Sequence, residues 1–343
     1  MTASENSFIG IAKQTAKGTP NVTDGSFDYM LFREAAIGPT PMFVPLDPEA
    51  GGGAMARNVI KAGIATGGKL SFIPRPKTLG HAFLGMTGAV SSVAGAAASF
   101  AHTFNIADDF VTPWYTLRHA PGNLLGEQLS DMKYSSMTLA WRGGKFVEGE
   151  LGFQGSGVPV PVSTAAWAAK AKVDGGPQFL APLGTIELPT GTPAIVTAGT
   201  FTAHLGMPMD EQWIVGSYSP HNMQIVQRAY VLSLALKIDD AALYQKIMYD
   251  PAAGSTWLPD IMREANFKLE FKSDQLAEPG VPYSFGIAAN GGSGAAANVV
   301  WSCQPIPLKA GKQVMLAVTG TFLADPAGGS PLTLSLVNQT PSY

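Results

Sequence analysis

Charge is the first thing this chain is short of. Of its 343 residues, 22 are Lys or Arg and 25 are Asp or Glu, a formal net charge of −3. With no basic excess to neutralise phosphates, a nucleic-acid reader is disfavoured. Cysteine is nearly absent. Cys303 stands alone, so it forms no internal disulfide, and beside Trp301 it reads as a small buried strand residue rather than a reactive thiol. No run of about 18 apolar residues could span a membrane. The nearest, Ala89 to Ala101, is broken by Ser91, Ser92 and Ser99. The opening Met1-Thr2-Ala3-Ser4-Glu5-Asn6 is polar and acidic, unlike a secretory signal. The expectation is synthesis in a cytosol, no membrane partner and folding without oxidation.

Catalytic constellations are missing too. His81, His102, His119, His204 and His221 show no metal-ligand spacing, and no nucleophile elbow exists. His81 falls on a short helical pattern and reads as a surface or satisfied packing residue. Asp108-Asp109 and Asp239-Asp240 read as caps or turns rather than acid/base pairs. Gly63-Ile64-Ala65-Thr66-Gly67-Gly68-Lys69-Leu70 has most of a phosphate-loop frame. However, Leu70 stands where a hydroxyl must reach magnesium, and a strand follows where a helix is needed. It reads as a loop entering a strand. No cofactor and no metal are expected.

Glycine and proline are abundant, at 39 and 26 residues, and 46% of the chain is hydrophobic. Such a chain buries a core, which argues against disorder. Helix interiors tolerate neither Gly nor Pro, which argues against a bundle. The glycines cluster rather than recur every third residue, which excludes collagen. A strand-rich protein with many turns remains.

The first 62 residues, with Gly38-Pro39-Thr40-Pro41, Pro45, Pro48 and Gly51-Gly52-Gly53, leave room only for short strands such as Phe27 to Phe32. Lys69 to Ile73 reads as a strand stopped by Pro74 and Pro76, and Thr78 to Met86 as a helix capped by Thr78. A small-residue stretch, 87 to 99, precedes a strand at Trp114 to Arg118. Met137, Leu139 and Trp141, then Val147, Leu151 and Phe153, alternate around Gly143-Gly144 as a β-hairpin. Residues 155 to 200 look like a bridge. Beyond them, Leu232, Leu234, Leu236 and Ile238 alternate, a helix runs from Asp239 or Asp240 to Tyr249, and strands follow at Phe267–Phe271, Tyr283–Ile287 and Val314–Val318. Strand, short helix, strands thus occurs twice, an order expected of a duplication.

Several segments, in this order, resemble the major tail tube protein of long-tailed, non-contractile bacteriophages. They are Phe8 to Pro20, Ala65-Thr66-Gly67-Gly68-Lys69-Leu70, Thr78-Leu79-Gly80, His102-Thr103-Phe104, Leu129-Ser130-Asp131-Met132, Asp240 to Tyr249 and Asn298-Val299-Val300-Trp301. The resemblance implies a mainly β fold with short flanking helices, in which two β-sandwich or half-barrel tube domains stand in tandem. Residues 1–62 would form an arm of the first domain, 63–155 its body, 156–205 a bridging linker and 206–343 the second domain. Three chains would then make a pseudo-sixfold ring, with six chains as the alternative, and stacked rings a channel for DNA ejection. Implied partners are further copies of the chain, the tape-measure protein, tail-tip and terminator proteins, and passing DNA bound without sequence preference. The implied location is the virion tail, and no catalytic residue is carried over.

Two surfaces follow from the residues themselves. The Gly/Pro-rich segment with Pro39, Pro41, Pro45, Gly51, Gly52 and Gly53 suits an arm between subunits or rings. Lys268, Glu270 and Lys272 alternate with Phe267, Leu269 and Phe271 and would face water, either in the lumen or on an outer wall. A reading from another class is a carbohydrate- or receptor-binding β-sandwich that stacks ligands on Trp114, Tyr115 and Trp257. The missing export signal and disulfides weigh against it.

Overall fold

In a computed structural model the alternation around Gly143-Gly144 becomes a hairpin, as expected, with Leu139 opposite Gly149 and Met137 opposite Leu151. The structure describes residues 7–48, 54–106, 110–122, 125–163, 176–188, 193–237, 263–264, 267–289, 299–305, 314–324 and 330–343. The first half of the chain supplies β1 (Phe8–Lys13), β2 (Asp28–Met30), β3 (Glu34–Pro45), β4 (Val59–Phe72), α1 (Pro76–Thr87), β5 (Gly88–Ala94), β6 (Phe100–Ile106), β7 (Tyr115–Ala120), β8 (Gly126–Arg142) and β9 (Glu148–Gly155). There follow β10 (Val160–Val162), β11 (Leu180–Glu187), β12 (Val196–Gly206), β13 (Gln227–Lys237), β14 (Arg263–Glu264), β15 (Lys268–Glu278), β16 (Val281–Ala289), β17 (Val299–Cys303), β18 (Met315–Phe322) and β19 (Leu332–Asn338).

The strands form two antiparallel sheets, so the fold is mainly β, as expected. One sheet runs β11-β15-β16-β19-β6-β5. The other is larger and organised around β8. Met132 pairs with both Tyr115 and Gly155, which places β7 and β9 on opposite edges of β8. Further along, Ser136 to Ala140 pair with β9 on one side and β12 on the other. The large sheet therefore reads β3-β4-β9-β8 and then, without a break, β12-β13-β18-β17. Each run of four orders its strands identically by position in the chain: first, second, fourth, third. Each sheet draws strands from both halves.

The sheets face one another across one contiguous core that includes Leu139, Phe201, Leu232, Phe285 and Leu334. Trp141 of the large sheet meets Phe271 of the small one edge-on at 5.2 Å, and Phe179 meets Phe285 at 4.7 Å. Within the large sheet, Gly199 lies opposite Trp141 and Gly320 opposite Trp301. A Cβ on Gly199 would come within 2.5 Å of the Trp141 ring, and one on Gly320 within 2.8 Å of Trp301. Both tryptophans lie flat across a neighbouring strand only because nothing stands there.

Four local expectations change. First, β3 is a strand of 12 residues through the segment expected to hold only short ones. Leu46 donates its amide to Asn58 across the hairpin at 2.8 Å, and amides alternate edges along a strand. The extra residue in the ladder, Ala62, belongs to β4, so alternation along β3 is unbroken. Even-numbered amides of β3 therefore point at β4, while Pro39, Pro41 and Pro45 fall on the edge where no amide is required.

Second, α1 begins at Pro76, not Thr78, because proline is well suited to a first helical position. It ends at Gly88, whose φ of 97° is left-handed and whose amide caps the Leu84 carbonyl. Third, the small-residue stretch forms most of the β5–β6 hairpin, and Gly63 to Leu70 lies within β4 rather than in a loop. Fourth, the expected bridge contributes β10, β11 and β12. The expected helix from Asp239 or Asp240 to Tyr249 lies outside the described residues.

Candidate functional site

Cross-strand partners share a sheet face, so the outer face of the large sheet can be read row by row. One row crosses eight strands: Glu34, Ser71, Glu150, Thr138, Thr202, Val231, Thr321 and Val300. The next, over five strands, is Ala140, Thr200, Ser233, Thr319 and Ser302. None of these side chains is buried. Apart from Glu34 and Glu150 they are short hydroxyl, alanine or valine side chains. Carboxylates near the first-half end are partnered, Glu148 by Arg33 at 2.7 Å and Glu150 by Lys69 at 2.9 Å. A hollow of about 620 Å³ over Ala140, Thr200, Ser233, Ala235, Ala317 and Thr319 shows that this part of the face is concave. The same hollow is walled on one side by Arg142, Lys145 and Glu148. The result is a wide surface whose two rows carry short, uncharged side chains from Thr138 and Ala140 across to β17, with its cationic side chains at the rim.

The two ends of that sheet differ from its middle. At one end β3 pairs with β4, and among the described residues no strand lies on its other edge. Beside that edge runs a groove of about 550 Å³, lined by Met30, Leu31, Phe32, Arg33, Ala35 and Ile37 among others. At the far end β17 pairs with β18, and β14 holds only Val299 and Val300 on the second edge. The β3–β4 hairpin carries an apolar end, with Phe43, Val44, Leu46, Met55, Val59 and Ile60 all exposed. Phe43 is 62% and Met55 82% accessible, values that a folded chain leaves on large apolar groups mainly where something else is to cover them.

The residues singled out in the sequence fall in separate places. Pro39, Pro41 and Pro45 lie on β3, and Gly51, Gly52 and Gly53 lie outside the described residues. Lys268, Glu270 and Lys272 occupy the outer face of β15, in the smaller sheet, with Lys272 3.8 Å from Glu270. The sugar-stacking alternative loses a main support. Tyr115 is fully buried, its hydroxyl donates to the His81 carbonyl at 3.2 Å, and its burial pushes the phenol pKa up. Trp114 is occupied by the Lys133 ammonium, 4.4 Å from its ring centre, and Trp257 lies outside the described residues.

Titratable groups with shifted pKa values have packing roles. Burial, with Arg228 and Lys17 adding repulsion, pushes Lys133 down to about 8. Burial pulls the Asp28 carboxyl up, but His81 at 2.8 Å and Lys77 at 2.5 Å outweigh it and hold the group below the usual aspartate value. This contact ties α1 to β2, and His81 is a packing residue partnered at Nε2, while its Nδ1 is buried without a hydrogen bond. The amides of Ala97, Ser99 and Ala98 hold Glu278 low and pin the β5–β6 turn to β15. Cys303 lies half-buried in β17 with its thiol pushed up by burial, as a structural cysteine should. Among the described residues no group of three or more His, Cys, Asp or Glu could hold a metal ion. No helix among them is long and apolar enough to cross a membrane.

The described residues make up a β-sandwich that presents a face, two strand edges and an apolar hairpin end. The chain belongs to the phage tail tube protein family, whose sequence model matches residues 4–310. No curated protein matches the sequence. Membership makes this a structural component of a phage tail, located in the virion and associating with itself and other tail components as a tube.

Proposed function

We propose that the chain is a wall subunit whose whole activity is assembly, forming rings that stack into the channel through which DNA leaves the virion. The observation that carries this reading is the large sheet. It is an eight-strand surface made of two runs with one strand order, and among the described residues both of its end strands keep unpaired edge to offer, β3 along its outer side and β17 from Trp301 onward. Each run counts as one tube unit, so a chain supplies two units in tandem and three chains close a ring with apparent sixfold symmetry.

The outer face of the large sheet lines the lumen. Its short, neutral rows support this, because DNA must slide past without the counterion-releasing contacts that would hold it. Lys268, Glu270 and Lys272, on the opposite sheet, then solvate the outer wall. The β3–β4 hairpin carries its exposed apolar end to the adjacent ring. The tape-measure protein would occupy the lumen before ejection, and tip and terminator proteins would cover the two ends of the tube.

Negative-stain electron microscopy, with native mass measurement on the same sample, tests the reading. Rings or tubes built from three chains are expected. Rings of six chains would preserve the tube role and remove the tandem count. A species that stays monomeric even when seeded with tail-tip complex would overturn the proposal.

A further inference from the structure

The chain contains one complete junction between two four-strand runs, and that junction is a template. The last strand in space of the first run, β8, divides its edge. Its N-terminal part holds β7 through Glu127 to Met132, and Ser136 to Arg142 take β12, the first strand of the second run. At the far end of the sheet β17 divides its edge in the same way. Its N-terminal residues Val299 and Val300 hold β14, and among the described residues no strand follows on that edge from Trp301 onward. The counterpart of β12 is β3, the first strand of the first run.

The inward side chains of the two first strands show what is missing. On β12, Phe201 and Ala203 are buried by neighbours on both sides. On β3, Ala35 and Ile37 point the same way but remain half-buried, with the groove of about 550 Å³ beside them.

We propose that the β17 edge of a second copy seats antiparallel on β3 in that groove, repeating between chains the β8–β12 junction found within one. The inference rests on the tube-subunit reading and names the edges that close the ring. The occupant is a second copy because the two ends of one chain already reproduce the two sides of an existing contact. Such a head-to-tail pairing uses different surfaces on the two partners and generates a ring when the rotation per chain closes, as three chains would require here. Its extent is set by proline on β3 and by the free length of β17. Outward amides exist at Ala35 and Ile37, but Pro39 and Pro41 remove the next two, and beyond β14 the β17 strand offers Trp301 to Cys303. Pairing is therefore confined to about three residue pairs within Glu34 to Gly38, or roughly 10 Å of strand.

The test uses the full chain and two variants. Ala35→Pro removes an outward amide and leaves the β4 ladder intact. Lys268→Glu, on the outer face of β15 in the other sheet, leaves both proposed edges untouched. Ala35→Pro is expected to keep the wild-type far-ultraviolet spectrum and lose about tenfold or more of the ring fraction, as expected for one lost hydrogen bond and a ring in the way. Lys268→Glu should close rings normally.

In parallel, single cysteines at positions 34 to 38 are oxidised with the native Cys303. At least one should give a disulfide-linked ladder ending at the closed ring, lost in Cys303→Ser. Wild-type rings together with undiminished rings in Ala35→Pro, or no ladder at any of the five positions, would overturn the edge assignment and leave the tube role standing. Failure of the wild type to form rings even when seeded with tail-tip complex would remove both. If Ala35→Pro unfolds, the cysteine series alone decides.

Discussion

Strands β3 and β12 occupy the same place in their respective runs, yet differ in composition. The inner strand, β12, reads Val-Thr-Ala-Gly-Thr-Phe-Thr-Ala-His-Leu-Gly and contains no proline. It is hydrogen-bonded on both edges, so a residue without an amide would break one ladder or the other. The outer strand, β3, has three prolines, every one on the side away from β4. An exposed sheet edge invites indiscriminate pairing, and proline on the open side is one of the ways proteins restrain it. A strand's neighbours, not its fold, therefore decide which residues it can carry.

The largest effect should come from making the inner strand resemble the outer one. Thr202→Pro in β12 is expected to cost at least about 3 kcal/mol and to abolish soluble folded protein, while Ala35→Pro in β3 leaves thermal stability within about 1 kcal/mol of wild type. Comparable losses from both would mean that β3's outer edge is already engaged.

Next come the paired Trp–Gly contacts. Trp301→Ala and Trp141→Ala should each cost about 3–5 kcal/mol by urea denaturation. Gly199→Val and Gly320→Val should each cost about 1–3 kcal/mol, since the tryptophan must move. A cheap change in one run and an expensive one in the other would break the likeness between them.

A smaller effect separates β8 from β17, which has no lysine. The folded chain holds Lys133 at about 8 against an ordinary 10.5, so between those values the unfolded chain binds the proton more tightly. This site's contribution to stability therefore rises as pH climbs from about 8 to 10.5, and Lys133→Met should flatten that part of the stability profile. A slope unchanged by the substitution would place its origin elsewhere.

Smallest of all, Lys268→Glu and Lys272→Glu on β15 should shift the denaturation midpoint by less than about 1 kcal/mol, as expected of exposed charges. A larger loss would mean that this face is packed.

The 136–153 hairpin was legible because apolar residues recur at every second position around a glycine pair. The strand at Tyr230 to Leu236 was legible for the same reason, with its four inward side chains buried. β3 was illegible by the same rule, since proline and glycine count as breakers wherever they fall. Its signal was parity: Pro39, Pro41 and Pro45 are separated by even numbers, so all three face one edge. The β5–β6 hairpin was hidden because Ala, Ser and Gly carry no apolar alternation, although Glu278, far away in sequence, anchors its turn. The smooth face of the large sheet had no sequence signature. Its longest row gathers one side chain from each of eight strands between Glu34 and Thr321, a grouping that only strand register creates.

If this face lines the channel proposed above, its texture bears on friction. Threonine and serine hydroxyls reach only a short way from the pleat and bond readily to water. At Thr138, Thr200, Thr202, Ser233, Thr319 and Thr321 the sheet would then offer a stiff, hydrated polymer a wetted surface with little to grip.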